Sequence, residues 1–168
     1  MKQTVKYFAA ILTSKTDLLD EIIERLSKKF GAFDYKSGWF DFFYTNFYEP
    51  EMGKDLKRCI VSFQKTIPPE DLPKAKKWSQ EVEDKFRIDG KREVNIDAGY
   101  MDACKVVLIS GKFGGHKIAL TKDCYADMIM DYQKGNFIPM PWCFPDFARG
   151  VYNKTLLEIR NILKSSTK

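Results

Sequence analysis

Apart from Lys6, residues 5–12 carry apolar side chains on both alternations. A strand of this kind has to be covered on both faces. The chain therefore needs a sheet with this strand inside it and a layer on each side.

The pattern after it supplies those layers. Ser14, Thr16 and Asp17 offer capping groups, and Leu18, Leu19, Ile22, Ile23, Leu26 and Phe30 then fall on one helical stripe. Gly31 stands where a helix end wants a left-handed residue. Second and third strands are expected over 39–44 and 57–64, the latter with Cys59, Val61 and Phe63 on one face. The connection over 45–53 is long for a plain hairpin, and such connections are often functional. Pro68, Pro69, Glu70 and Asp71 open a helix in the N-terminal manner, with prolines and acids in the first turn. Its buried stripe is Leu72, Ala75, Trp78, Val82 and Phe86. A fourth strand over 92–97 puts Val94 and Ile96 on one face and Asn95 and Asp97 on the other.

The order so far is β-α-β-β-α-β, the split or ferredoxin-like arrangement. Strands over 105–110 and 117–120 flank Gly111, Gly114 and Gly115 and read as a hairpin. Residues 123–132 suit a strand or a short helix. Residues 137–147 hold Pro139, Pro141 and Pro145 and read as irregular. Helices are expected over 16–30, 69–87 and 148–163. The whole reads as one α+β domain over 1–168. Its mixed sheet begins in ferredoxin-like order and is extended by a further hairpin and a C-terminal helix. Residues 164–168 form a polar tail expected to fray.

Composition narrows the function classes. Of 168 residues, 44% are hydrophobic and 30% charged, which excludes a disordered or low-complexity chain. The apolar runs are too short to span a bilayer, so no membrane partner is expected. The net charge of +5 is mild and interleaved, so nucleic acid is not the expected partner. An RNA-recognition module shares the element order but needs exposed aromatics on its third strand, where only Phe63 fits. Cys59, Cys104, Cys124 and Cys143 are the four cysteines, and their wide spacing argues against zinc. Scattered thiols without a secretion signal suit a cytoplasmic protein.

Several strings are more specific. They are residues 45–53, from Thr45 through Glu49, Pro50, Glu51 and Gly53; residues 95–100, from Asn95 to Tyr100; Lys112 with His116, Lys117 and Ile118; residues 124–127, from Cys124 to Asp127; and residues 142–147, from Trp142 to Phe147. In this order and spacing the chain resembles the bacterial family labelled domain of unknown function 4416, from Tyr7 to about Arg160. Ala98 stands where that family commonly has Pro, Lys117 where it has Arg, and Phe147 where it has Tyr. The resemblance implies no established activity, although some members are loosely labelled GTP-binding.

The residues test that label. A P-loop needs a second glycine, a hydroxyl after the lysine and a following helix. Here His116 takes the glycine position, Ile118 takes the hydroxyl position, and a strand pattern follows. The glycine segment either offers backbone N–H groups to an anion or is an ordinary hairpin. Asn95 and Asp97 would bind a ligand or accept a proton at a sheet end, or else Asp97 begins a turn. His116 is the sole histidine, and any histidine-dependent catalysis must use it, with Asp97 or Asp146 and a cysteine or serine nucleophile as partners. Glu49 and Glu51 lie either in a ligand site or in a solvated loop. Asp146 is a ligand residue or a helix cap.

The reading that joins these residues is a pocket for a small anionic ligand, a nucleotide or other phosphate-bearing molecule. Its chemistry would be that of phosphate esters, with Mg²⁺ the metal such chemistry would use. Asp97 and His116 are the candidate catalytic residues; Glu51, Asn95, Lys112, Lys117 and Asp146 are the candidate binding residues. The alternative is a non-catalytic protein-interaction module in which the same residues are turns and caps, with no small-molecule site.

Overall fold

The structure is a computed structural model and describes residues 4–166. Strand β1 (Val5–Thr13) leads through a 3₁₀ turn into α1 (Leu19–Phe30). Next come β2 (Phe33–Lys36), β3 (Phe40–Asp41), α2 (Glu49–Met52) and β4 (Lys57–Ile67). Helix α3 (Leu72–Lys85) is tied by a small ribbon, β5 (Arg87–Ile88) and β6 (Lys91–Arg92), to β7 (Val94–Met101). The second half contains β8 (Lys105–Ser110), β9 (Ile118–Thr121), β10 (Cys124–Gln133), β11 (Asn136–Pro139), α4 (Pro145–Ala148) and α5 (Asn153–Ser166).

The main sheet runs β11-β10-β8-β7-β1-β4-β2, with β3 paired to β4 and β9 to β10. Strand β1 lies between β7 and β4 and is buried at every position, as two-sided apolar alternation demands. Its alternate residues feed two cores. Val5, Tyr7, Ala9 and Ile11 join Cys59, Val61 and Phe63 beneath α1 and α3. Phe8 and Ala10 join Ile60 beneath α5, where Leu156 and Ile159 are fully buried. Helix α1 is fixed by Leu19, Ile22, Ile23, Leu26 and Phe30, and Phe30 stacks on Tyr7 with ring centroids 3.7 Å apart. Burying each such side chain contributes about 1.5–3 kcal/mol. Gly31 then takes a φ of +77°, and its N–H bonds to the Ser27 carbonyl at 3.0 Å.

Several details depart from the sequence reading. The sheet is not mixed: its pairings are all antiparallel. The strand expected over 39–44 is replaced by β2 and the two-residue β3. The aromatic run that suggested it packs on itself instead, Phe42 against Tyr44 and Tyr48. The segments 105–110 and 117–120 do not pair with one another. Strand β10 lies between them, bonded to β8 on one side and β9 on the other. The proline-rich segment holds β11 and α4, because Pro139 sits at the end of an edge strand and Pro145 at a helix start. The tail expected to fray from 164 is helical to Ser166, and residues 167–168 lie outside the described residues. Among the described residues, no helix is long and apolar enough to cross a membrane.

Candidate functional site

The sheet forks between β7 and β8. Strand β7 pairs with β1 along its whole length, from Val94 to Met101. It pairs with β8 only through Gly99, Tyr100 and Met101. Where the two strands part, a backbone donor is freed, and the buried Glu83 carboxylate on α3 accepts the Ile96 N–H. Burial pushes the Glu83 pKa up, against the opposing pull of that hydrogen bond.

A cavity of about 880 Å³ opens at the fork. Arg58, Asn95, Asp97 and Asp127 line its sheet side. The 42–48 loop supplies an aromatic wall of Phe42, Tyr44, Phe47 and Tyr48, and the segment around α4 adds Phe144, Asp146 and Phe147. Lys112 and Lys117 stand on the loop after β8, and Lys76 and Gln80 reach in from α3.

Arg58 organises the polar floor. Its side chain is 3% exposed. Nη1 donates to the Ala10 carbonyl at 3.2 Å and to Asp97 Oδ2 at 2.8 Å. Nε lies 3.4 Å from Asp146 Oδ2, an ion pair without hydrogen-bond alignment. The guanidinium also sits over the Phe42 ring, 5.0 Å from its centroid. Burial opposes its charge, but Asp97 and Asp146 outweigh burial and raise its pKa. Arg58 thus balances the two carboxylates that flank it. Among the described residues, no group of three or more His, Cys, Asp or Glu side chains is arranged to hold a metal ion.

From Asp97 the network runs outward. Asn95 Nδ2 donates to Asp97 Oδ1 at 3.2 Å, and Arg92 Nη1 donates to Asn95 Oδ1 at 2.8 Å. Arg92 grips Glu51 as a fork, Nε to Oε1 at 3.0 Å and Nη2 to Oε2 at 2.7 Å. Those hydrogen bonds hold the Glu51 pKa down at about 2, against its ordinary 4.5. On the other side, the Tyr152 hydroxyl donates to Asp146 Oδ2 at 3.0 Å. Burial first, then the Asp97 charge, pushes the Tyr48 hydroxyl up to about 12.

The predicted residues therefore divide. Asn95, Asp97, Lys112, Lys117 and Asp146 line one cavity. Asp97 is not at a strand end and begins no turn; it sits within β7, and the turn is made by Asp102, which accepts the Cys104 and Lys105 N–H groups. Asp146 lies in the first turn of α4 but makes no cap, since no side chain caps that helix. Glu51 is outside the cavity lining and is committed to Arg92. His116 is also outside it, 34% exposed and stacked on Trp142 with centroids 5.0 Å apart. Its Nε2 lies 3.3 Å from Asp127 Oδ1, so it reaches the cavity only through that carboxylate. Cys143, whose thiol feels two of these acids, is pushed up to about 12 by burial and then by Asp146 and Asp127, which disfavours the nucleophilic thiolate. Lys117 Nζ donates to Ser110 Oγ at 3.0 Å and to the Lys112 carbonyl at 3.2 Å, while Lys112 Nζ lies 5.1 Å from the Phe47 ring centroid.

Arg58, Arg92, Glu83 and Asp127 are the functional candidates that sequence reasoning missed. For Arg58 a signal existed: it is the charged residue that shares a strand face with Ile60 and Ser62. Asp127 closes the 124–127 string, which offered it no role, while Arg92 and Glu83 depend on tertiary contacts with Glu51 and Ile96 that no local pattern announces. No match appears among curated proteins or among solved structures. The sequence model of one family, described as Domain of unknown function (DUF4416), matches residues 3–163, and with nearly the whole chain covered this protein belongs to that family.

Proposed function

We propose that the protein binds a small phosphate-bearing ligand of nucleotide size in the cavity at the sheet fork. The observation that carries this reading is convergence. Asn95 and Asp97 on β7, Lys112 and Lys117 after β8, and Asp146 on α4 meet on one cavity from separate stretches of chain. Its volume of about 880 Å³ lies within the range of small-molecule sites, roughly 300–1,000 Å³. The aromatic wall suits a planar ring, and the Lys112 and Lys117 ammonium groups are engaged with neutral groups and an aromatic ring, free to meet an anion. A pure interaction module would give these residues no reason to share a concave surface. Phosphate-ester turnover at this site is the enzymatic extension of the reading. A cytoplasmic location fits such a ligand and the free thiols. We also infer a ferredoxin-like core: the neighbours β7-β1-β4-β2, with α1 and α3 on one face, support that order.

A thermal-shift panel of nucleoside mono-, di- and triphosphates, sugar phosphates and inorganic phosphate tests the reading. A ligand that binds only the folded state stabilises it by about 2.7 kcal/mol at a hundred times its Kd. At least one phosphate-bearing compound should raise Tm, and Lys112→Ala with Lys117→Ala should abolish most of the rise. A panel without any shift, or a shift indifferent to both lysines, would overturn the proposal.

A further inference from the structure

We propose that Asp127 is the specificity-determining acceptor of this cavity. It takes a hydrogen bond from an amino or hydroxyl donor at the inner end of the ligand, whose phosphate lies outward at Lys112 and Lys117. This rests on the phosphate-binding reading above.

The other cavity carboxylates are answered within the protein. Asp97 accepts from Arg58 and Asn95, Asp146 accepts from Tyr152 beside Arg58, and Glu83 accepts from the Ile96 N–H. Asp127 differs. It lines the cavity, its side chain is 2% exposed, and its Oδ1 has no hydrogen-bond partner. His116 Nε2 is near that oxygen at 3.3 Å but not aligned to donate to it. A buried acceptor without a donor is costly, and such groups are rare in native proteins unless something else completes them. A donor on the ligand would do so.

Register supplies the orientation. Asp127 is opposite Leu108 on β10 and β8, and Leu108 is opposite Gly99, the last paired residue before the fork. Asp127 is therefore level with the apex of the fork. Ser110, which holds the Lys117 ammonium, is two residues further along β8 on the same face, about 7 Å away at strand rise. The exposed Lys112 follows it. The acidic acceptor is thus at the closed end and the cations are at the open end. A molecule carrying a donor at one end and a phosphate at the other matches this polarity; inorganic phosphate matches only the outer half. An exocyclic amine of a nucleobase and the hydroxyls of a sugar are the two sources of such a donor.

Calorimetric titration of the full chain with AMP, ribose 5-phosphate and inorganic phosphate tests this. The wild type should bind AMP at least tenfold more tightly than inorganic phosphate. Asp127→Leu, which removes both acceptor oxygens, should remove most of that advantage while changing inorganic phosphate binding less than twofold, and its unliganded Tm should stay at or above the wild-type value because a buried acceptor without a donor is gone. Equal loss for ribose 5-phosphate and AMP assigns the donor to a hydroxyl, and loss for AMP alone assigns it to the amine; both support the proposal. Wild-type protein that binds inorganic phosphate as tightly as AMP overturns it without recourse to any variant. If Lys112→Ala weakens all three probes while Asp127→Leu weakens none, phosphate binding stands and the role of Asp127 falls. If no probe binds the wild type, both fall together.

Discussion

The two faces of the sheet are made by alternate residues of the same strands, yet they end differently. On the face beneath α1 and α3, β1 offers Val5, Tyr7, Ala9 and Ile11, and β4 offers Cys59, Val61 and Phe63; these form a continuous apolar layer. On the face beneath α5, the apolar run is short. Phe8, Ala10 and Ile60 lie in its middle, while Lys6 with Ser62 and Asp34 holds one end and Arg58 with Asp97 the other. Apolar contact is undirected and seals whatever it covers. Buried charge must be matched group by group, so it persists only where partners are built around it. The second face therefore keeps concave polar surface at its margin, and the cavity occupies that margin.

The largest expected effects test this contrast directly. Phe30→Ala removes the ring stacked on Tyr7 in the sealed face and should cost about 3–5 kcal/mol in urea unfolding. Leu156→Ala, beneath α5, should cost about 2–5 kcal/mol by the same cavity mechanism. Arg58→Ala should cost a comparable 3–5 kcal/mol for a different reason, since it strands Asp97 and Asp146 beside each other. The two mechanisms separate on repair. Arg58→Met combined with Asp97→Asn and Asp146→Asn should recover roughly half the loss, because replacing every charge in a buried set is far cheaper than removing one. No recovery would mean that Arg58 acts by filling space, and that the two faces do not differ as argued.

A smaller effect lies at the apex of the fork. A Cβ added to Gly99 would come within 2.5 Å of the Phe8 ring and 2.9 Å of the Val107 carbonyl oxygen. The ring can shift, but the carbonyl belongs to the neighbouring strand. Gly99→Ala should therefore destabilise by about 1–3 kcal/mol through overpacking. Phe8→Leu in the same chain should relieve part of that cost, giving a coupling outside the roughly 0.3–0.5 kcal/mol scatter of independent sites. Strict additivity would show that Gly99 is placed for some reason other than the approach of Phe8.

These residues also mark how far the sequence is legible. Alternation within 5–12 and 57–63 is a property of neighbours along the chain, so the two-layered sheet and the stripes of α1 and α3 can be read directly. Membership in one cavity is a property of tertiary closeness. Asn95, Asp97, Lys112, Lys117 and Asp146 were nameable because they lie in the specific strings that carry the family resemblance, and the fold brings them to one surface. Glu51 and His116 look the same in sequence and lie outside the lining, one spent on Arg92 and the other held behind Asp127. Asp127 closes another of those strings, but without a role, in a segment that suits strand or helix equally. Only the pairing of β10 with β8 puts it at the fork. The ambiguity over 39–44 has a similar source: aromatic residues favour strands and also favour one another, and here the second preference decides.

The smallest effect concerns two acids whose titrations run in opposite directions, Glu51 outside the cavity lining and Glu83 within it. Glu51, committed to Arg92, has its folded pKa lowered to about 2 from an ordinary 4.5, chiefly by hydrogen bonds from that guanidinium. Its contribution is present above pH 4.5 and is lost as the pH falls from 4.5 toward 2. The carboxylate is about a third exposed, so screening holds that contribution to about 1 kcal/mol. Glu83, on the buried face of α3, has its folded pKa raised, chiefly by burial. Its contribution is present below pH 4.5 and is lost as the pH rises through the higher folded value. Urea midpoints measured from pH 2 upward for the wild type, Glu51→Gln and Glu83→Gln separate the two. Glu51→Gln should flatten the fall on the acid side and leave the trend above pH 4.5 unchanged. Glu83→Gln should flatten the decline with rising pH and leave the acid limb in place. An acid limb of wild-type steepness in Glu51→Gln would show that the Arg92 fork does not hold in solution. The chain of contacts from Glu51 through Arg92 and Asn95 to Asp97 would then lose its outer anchor.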